Sequence, residues 1–293
     1  MSYLLFSIIF STGLNVLFKL FSRYELNLFK VIMINYWVCY GLGQIWSGQW
    51  IHASDIVDKP WFYYAIFLGF TFVIGFNMAG ITVKYFGIVL ATIMQKMSLL
   101  LTVLFAILYF GETLTYIKAW GLLFAFIAVV LIHIKKPETR SKSIRNKIIY
   151  IIPLLTLLLS GTIEILFLLV DRHNIVLQTD HAFVTVLFGF AGMFALVFYL
   201  IGRSMYITSS LTFSDLGGGL VLGCVNFFSI FFLMKLVQTG WEGSFLFPIN
   251  NVGILLLSAL VSLLLFREKL SRINYIGLAV SILAIWFVWN SGA

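Results

Sequence analysis

Long apolar runs separated by short polar stretches make up nearly the whole chain. They fall at about 2–20, 28–46, 61–82, 86–110, 117–134, 148–170, 182–202, 216–237, 244–266 and 273–290. A membrane helix uses about 20 apolar residues, and each run is long enough to be one. None shows the alternation of an outer-membrane barrel strand, so continuous helices are the consistent reading. The pattern predicts an all-α membrane protein with ten transmembrane helices.

Composition supports this and removes alternatives. Of 293 residues, 61% are hydrophobic and 10% charged, and the mean hydropathy is +1.05. Soluble domains are about 45–50% apolar and about 25% charged. A single-core soluble enzyme cannot hide this much apolar surface, and a disordered chain would not carry it. The formal net charge of +8 would point to nucleic acid in a soluble protein. Here it reads as Lys and Arg enriched in cytoplasmic loops, so no nucleic-acid partner is expected and the lipid bilayer is the expected surrounding. Cys39 and Cys224 both sit in apolar runs and read as small hydrophobes, not a disulfide. The N-terminus lacks a basic segment before its apolar run and a small-residue cleavage pattern after it, so the first run is expected to remain a membrane helix.

One hydrophilic stretch, Lys135 to Lys147, divides the chain into residues 1–134 and 148–293. The halves resemble each other. Residues 109–122 and 265–278 match at Phe110/Phe266, Glu112/Glu268, Leu114/Leu270, Ile117/Ile273, Gly121/Gly277 and Leu122/Leu278, an offset of 156. A second match, at an offset of 149, pairs Ser11/Ser160, Phe18/Phe167 and Arg23/Arg172, and sets Asn15 opposite Glu164. Each half holds five runs. Because five is odd, the second copy enters the membrane from the opposite side, which gives two inverted five-helix repeats joined by a basic linker. Inverted repeats are a transporter architecture.

Two five-span halves, each with a Phe-x-Glu-x-Leu turn before its last helix, resemble the EamA-like branch of the drug/metabolite transporter (DMT) superfamily. The carrying residues are Phe110-Gly111-Glu112-Thr113-Leu114 and Phe266-Arg267-Glu268-Lys269-Leu270, with Gly121 and Gly277 following, and Gly13-Leu14-Asn15 with Lys19 in the first run. The resemblance implies a secondary carrier. Its central cavity would be lined by the first, third, fourth, sixth, eighth and ninth spans. Relatives handle amino acids, metabolites, nucleotide sugars or drugs. Glu112 and Glu268 lie at helix ends, where a carboxylate can meet the positive N-terminus of the following helix. They read as capping groups and are left out of the site.

Charges in mid-membrane are scarce, costly and by default functional. Two lie deep: Lys96 in the fourth run and Glu164 in the sixth. They read as an anion contact and a proton or cation contact, against the alternative of a permanent ion pair that only holds the halves together. Uncharged polar residues extend the candidate site. Asn15 aligns with Glu164, Gln95 aligns with Asn251, and Asn250 and Asn251 follow Pro248, which removes a helical hydrogen bond. These amides line a cavity in this reading, or glue helices together in the plainer one. Asn77 and Asn226 are further candidates.

Other features read as structural. Lys19, Lys84 and Lys235 lie near helix ends and can snorkel. Trp37, Trp61 and Trp241 are single aromatics, and Gly217-Gly218-Gly219 lacks the Lys-Ser/Thr of a phosphate loop. His173 and His181 flank a loop with Asp171 and Asp180 but lack helical ligand spacing, so no metal is expected. No Ser/His/Asp, zinc-protease or nucleotide motif occurs, so neither enzyme activity nor a cofactor is expected.

The expected function is a secondary-active carrier in the inner (cytoplasmic) membrane. It moves a small polar organic metabolite, an amino acid or relative including anionic ones, by alternating access with proton coupling; the sequence leaves the oligomeric state open, and a monomer is compatible with it. The alternatives are a lipid flippase, which needs an apolar lateral opening, and a membrane-embedded enzyme, which needs a titratable cluster at one face. Orientation divides the signals. Odd-numbered connections hold fourteen basic residues, the even-numbered ones hold four and Lys96 is the remaining one. The charges put both termini outside, whereas the resemblance implies both inside.

Overall fold

The computed structural model describes the chain apart from residues 25, 49, 87, 134–150, 177–181, 206–209, 267–270 and 292–293. The described residues form ten α-helices: α1 (Ser2–Arg23), α2 (Leu28–Ser47), α3 (Phe62–Phe86), α4 (Ile88–Phe110), α5 (Tyr116–His133), α6 (Ile151–Arg172), α7 (Ala182–Ser204), α8 (Phe213–Val237), α9 (Gly243–Leu265) and α10 (Arg272–Ser291). One short 3-10 turn, Ala53–Asp55, precedes α3.

The chain is an all-α, multi-pass integral membrane protein. Eight helices (α1, α3, α4, α6, α7, α8, α9 and α10) are long and apolar enough to cross a bilayer. The expected ten spans are thus met in part. At Tyr116–Ile132 the apolar part of α5 is shorter than the rest. Helix α2 has the length, but its buried side carries Lys30, Asn35 and Gln44, which lowers its hydropathy.

Local signals set the helix ends. Asn27 caps α2 by accepting from the Lys30 N–H at 3.4 Å, and Gly48 closes that helix in the left-handed region at φ 68°. Thr212 and Asp215 form a reciprocal capping box on α8. Ser271 and Asn274 do the same for α10, with Asn274 Oδ1 accepting from the Ser271 N–H at 2.8 Å.

The chain groups into two compact units, each drawing on both sequence halves. The first comprises Met1–Ile74 and Leu166–Thr239, the second Gly75–Ile165 and Gly240–Ala293. In the first unit α2 packs on α7 and α8, and α1 packs on α8. Its core is aromatic: Trp61, Phe183, Phe167, Phe72, Phe188 and Tyr36 follow one another in ring contact, with centroids 5.8–6.4 Å apart. Trp61, weighed in the sequence as a single aromatic, is 1% exposed inside this core. Of the three consecutive glycines, Gly219 serves close packing, since a Cβ there would lie 2.4 Å from Ile34 Cγ2.

In the second unit α5 packs on α10 and α4 packs on α9. Gly121 and Gly277, matched between the two halves in the sequence, both lie in one helix pair. A Cβ on Gly121 would lie 2.6 Å from Val288 Cγ2 and 2.9 Å from the Val288 nitrogen. A Cβ on Gly277 would lie 2.7 Å from the Ile132 nitrogen. The start of each helix therefore packs closely on the end of the other, so the pair is antiparallel. The linker 135–147 and the turn containing Glu268 lie outside the described residues, as do Asp180 and His181.

Candidate functional site

Three helices of the second unit bring their polar residues together. Lys96 of α4 donates from Nζ to Asn251 Oδ1 of α9 at 3.1 Å. Asn251 Nδ2 donates to Glu164 Oε1 of α6 at 2.9 Å. The second carboxylate oxygen, Oε2, accepts from Thr102 Oγ1 of α4 at 2.7 Å. The two charges act on each other electrostatically but are joined through the amide of Asn251. Lys96 and Glu164 are half-buried, whereas Asn251 is 4% exposed and Thr102 fully buried.

The local sequence explains this placement. Gln95, Ser98 and Thr102 recur at i, i+3 and i+7 and so share one stripe of α4. Ser98 Oγ donates to the Gln95 carbonyl at 2.6 Å, and Thr102 also reaches the Ser98 carbonyl at 3.2 Å. On α9, Pro248 lies inside the helix three residues before Asn251. It has no N–H to offer the carbonyl of Ser244, so one helical hydrogen bond is missing there. Asn250, beside Asn251, is also buried.

The remaining candidates are divided between the two units. Gln95 and Asn77 are half-buried residues of the second unit. Asn15 and Asn226 belong to the first unit. There Asn226 Nδ2 donates to Asn35 Oδ1 at 3.1 Å, and Cys39 Sγ donates to the Gly223 carbonyl at 3.3 Å. This amide pair joins α2 to α8. Trp241 packs edge-on against Phe245 and Trp289 in the second unit.

Sequence reading missed Thr102, whose signal was the polar stripe on α4. Two of the basic residues counted above in the connections, Lys30 among the fourteen and Lys118 among the four, are buried. Lys30 Nζ donates to the Ser210 carbonyl at 2.7 Å and pairs with Asp215 at 3.3 Å. Lys118 Nζ donates to the Thr113 carbonyl at 2.9 Å and Ser244 Oγ at 3.1 Å, and pairs closely with Glu242. Beside it, Glu112 accepts from the backbone N–H of Gly243 and of Ser244, both at 2.8 Å. The capping expectation for Glu112 thus meets a different helix: the carboxylate holds the N-terminus of α9, far along the chain, where two orphan donors and the helix dipole favour an anion.

No protein-family model matches the chain. It is similar to a chain of Haemophilus influenzae (strain ATCC 51907 / DSM 11121 / KW20 / Rd), described as an uncharacterized protein, at 26% identity over 298 residues, covering 99% of this chain and 98% of the relative. A solved structure titled only "Crystal structure of protein" superposes with a TM-score of 0.72 at 16% identity, covering 99% of this chain and 96% of that one. That likeness shows a shared fold over almost the full length.

Proposed function

We propose that this protein is a secondary-active carrier of the EamA-like, drug/metabolite transporter type. It moves a small polar organic metabolite across the inner membrane by alternating access and has no enzymatic step. The observation that carries the reading is the Lys96–Asn251–Glu164 chain on α4, α9 and α6. Opposite charges within membrane helices are expensive, and their usual role is on a solute or ion path. Both retain accessible surface, as a solute site requires.

The packing of α2 on α7, α4 on α9 and α5 on α10 supports the inverted five-plus-five arrangement. Each pair joins helices five apart in chain order, as a duplicated five-helix unit would. The reciprocal seating of Gly121 and Gly277 adds to it. Glu164 is the proton-exchanging group in this reading, since it is the carboxylate of the cluster.

The test is uptake of radiolabelled metabolites into liposomes holding the purified protein. Accumulation driven by an imposed gradient and lost in Lys96→Met supports a carrier. Passage unaffected by Lys96→Met and Glu164→Gln, or movement of labelled lipid alone, overturns it.

A further inference from the structure

Helix contacts in the first unit bring four helix ends together. Along α1 and α8 they run in opposite senses: Phe6 stacks on Phe232, Phe10 meets Phe228, and a Cβ on Gly13 would lie 3.0 Å from Val225 Cγ1. Along α2 and α8 they run in the same sense, with Ile34 against Gly219 and Val38 against Gly223. Along α2 and α7 they run oppositely, with Trp37 against Gly192 and Tyr40 against Gly189. The C-terminal ends of α1 and α7 and the N-terminal ends of α2 and α8 therefore share one end of this unit.

Among the described residues, the charges at that end are Lys19, Arg23, Lys30, Arg203 and Asp215. Lys30 and Asp215 are buried and paired with each other, and Asp215 also closes the capping box of α8. The described carboxylate is thus turned inward. Arg23 and Arg203 stand exposed in the last turns of α1 and α7, and Lys19 lies one turn before Arg23 on the same face of α1. What this end shows outward is positive charge.

Apolar side chains stand beside these cations. Tyr24 is 72% exposed, Met205 62% and Phe213 93%. Phe213 opens α8 directly after the Thr212 cap, and with the exposed Leu216 and Leu220 it forms one outward stripe at i, i+3 and i+7. The stripe therefore reaches the very end of the helix, level with the arginines. Aromatic rings next to cations at helix ends suit the boundary between acyl chains and headgroups. An acidic protein or a nucleic acid would match the charge and leave Phe213 in water.

We propose that this end of the first unit is a docking surface for anionic phospholipid. Arg23 and Arg203 each take an anionic headgroup, while Tyr24, Met205 and Phe213 reach into the acyl boundary beneath it. The guanidinium presents a planar fork of donors to phosphate oxygens. Both arginines lie on odd-numbered connections, so the surface faces the leaflet that the charge count places on the cytoplasmic side, where anionic lipid concentrates. The inference stands apart from the carrier reading.

The test counts bound lipid by native mass spectrometry on the full-length protein in detergent. Phosphatidylglycerol and phosphatidylcholine with the same acyl chains are titrated in parallel. Wild type is expected to bind phosphatidylglycerol several-fold more tightly, and the preference should fade as salt is raised, because salt screens exposed charges. Arg23→Gln and Arg203→Gln should each raise the apparent Kd for phosphatidylglycerol about fivefold at the site concerned, the weight of one basic residue near an anionic surface. Phosphatidylcholine binding should not change. The double Arg→Lys variant keeps the charge and should keep most of the preference. Lys59→Gln, exposed beyond the opposite end of α2, should have no effect.

A wild type without preference for phosphatidylglycerol, or with one that salt does not weaken, overturns the proposal. Those two measurements need no variant, so a misfolded variant cannot shield it. A preference kept in full by the double glutamine variant, or lost equally in Lys59→Gln, places the lipid elsewhere and overturns the assignment to Arg23 and Arg203.

Discussion

Lys96 and Glu164 share one partner without touching: the side chain of Asn251 accepts from the ammonium at 3.1 Å and donates to the carboxylate at 2.9 Å. A permanent ion pair and a solute site therefore make different demands on these residues, and single and double neutralisation separate them. A hydrogen bond to a charged group contributes about 1.5–3 kcal/mol. Lys96→Met and Glu164→Gln should each lower uptake by about 10- to 100-fold while the protein still purifies folded. If the double variant recovers both stability and uptake, the charges only brace the helices.

The proposed proton coupling would fall on Glu164. Wild-type uptake should follow an imposed pH gradient, and Glu164→Gln should retain exchange of bound solute but lose accumulation against that gradient. The comparison is counterflow against gradient-driven uptake in one liposome preparation. Wild-type uptake indifferent to the gradient would remove the proton from the mechanism.

The knot at the start of α9 should be costly to open from one side only. Glu112→Ala strands the buried N–H groups of Gly243 and Ser244, at about 1–3 kcal/mol for each unsatisfied donor. Glu112→Gln keeps one acceptor oxygen and should lose about half as much. The Lys118 side chain is 2% exposed, whereas that of Glu242 is 44% exposed. Glu242→Ala takes the ion-pair partner from a buried ammonium, while Lys118→Met leaves a carboxylate that water can reach. Glu242→Ala should therefore lower the melting temperature more than Lys118→Met does.

Alanine at Gly121 and Gly277 tests the helix pair α5–α10. In a helix, Gly→Ala gains up to about 1 kcal/mol of propensity. At Gly277 the new Cβ would meet the backbone nitrogen of Ile132 at 2.7 Å, which no rotamer change relieves. Gly277→Ala should destabilise by about 1–3 kcal/mol net, and Gly121→Ala similarly. Gly80→Ala, with nothing within 4 Å of its Cβ, should be neutral or stabilising in the same detergent melt.

Orientation is decided by a C-terminal reporter. Lys30 and Lys118 are buried and paired, so neither is a free loop charge. Setting them aside leaves thirteen basic residues in the odd-numbered connections against three in the even-numbered ones. The charge excess still puts the termini outside. An active alkaline phosphatase fusion with a dark green fluorescent protein fusion is the expected pair of results. The opposite pair would show that the topology implied by the family resemblance overrides the loop charges.

Helix positions were legible in the sequence because membrane helices need long apolar runs and little else. Lys96, Glu164 and Asn251 stood out because polar groups inside such runs are rare. Thr102 was hidden by its own mildness: a threonine in an apolar run is ordinary, and only its spacing from Gln95 and Ser98 marks it. Lys118 was misread for a different reason. Sequence shows a charge at a helix end but not whether a partner 124 residues away covers it, as Glu242 does here. The grouping into units was likewise invisible, because each is assembled from segments distant in chain order.

The two glycine contacts of α5 and α10 lie eleven residues apart along each helix, or about 16 Å of helix length. Two fastenings that far apart oppose pivoting between the helices, so the pair is expected to move as one beam. Spectroscopic labels on this beam keep a constant mutual distance. It therefore offers a fixed reference arm from which displacements of the Pro248 segment can be measured.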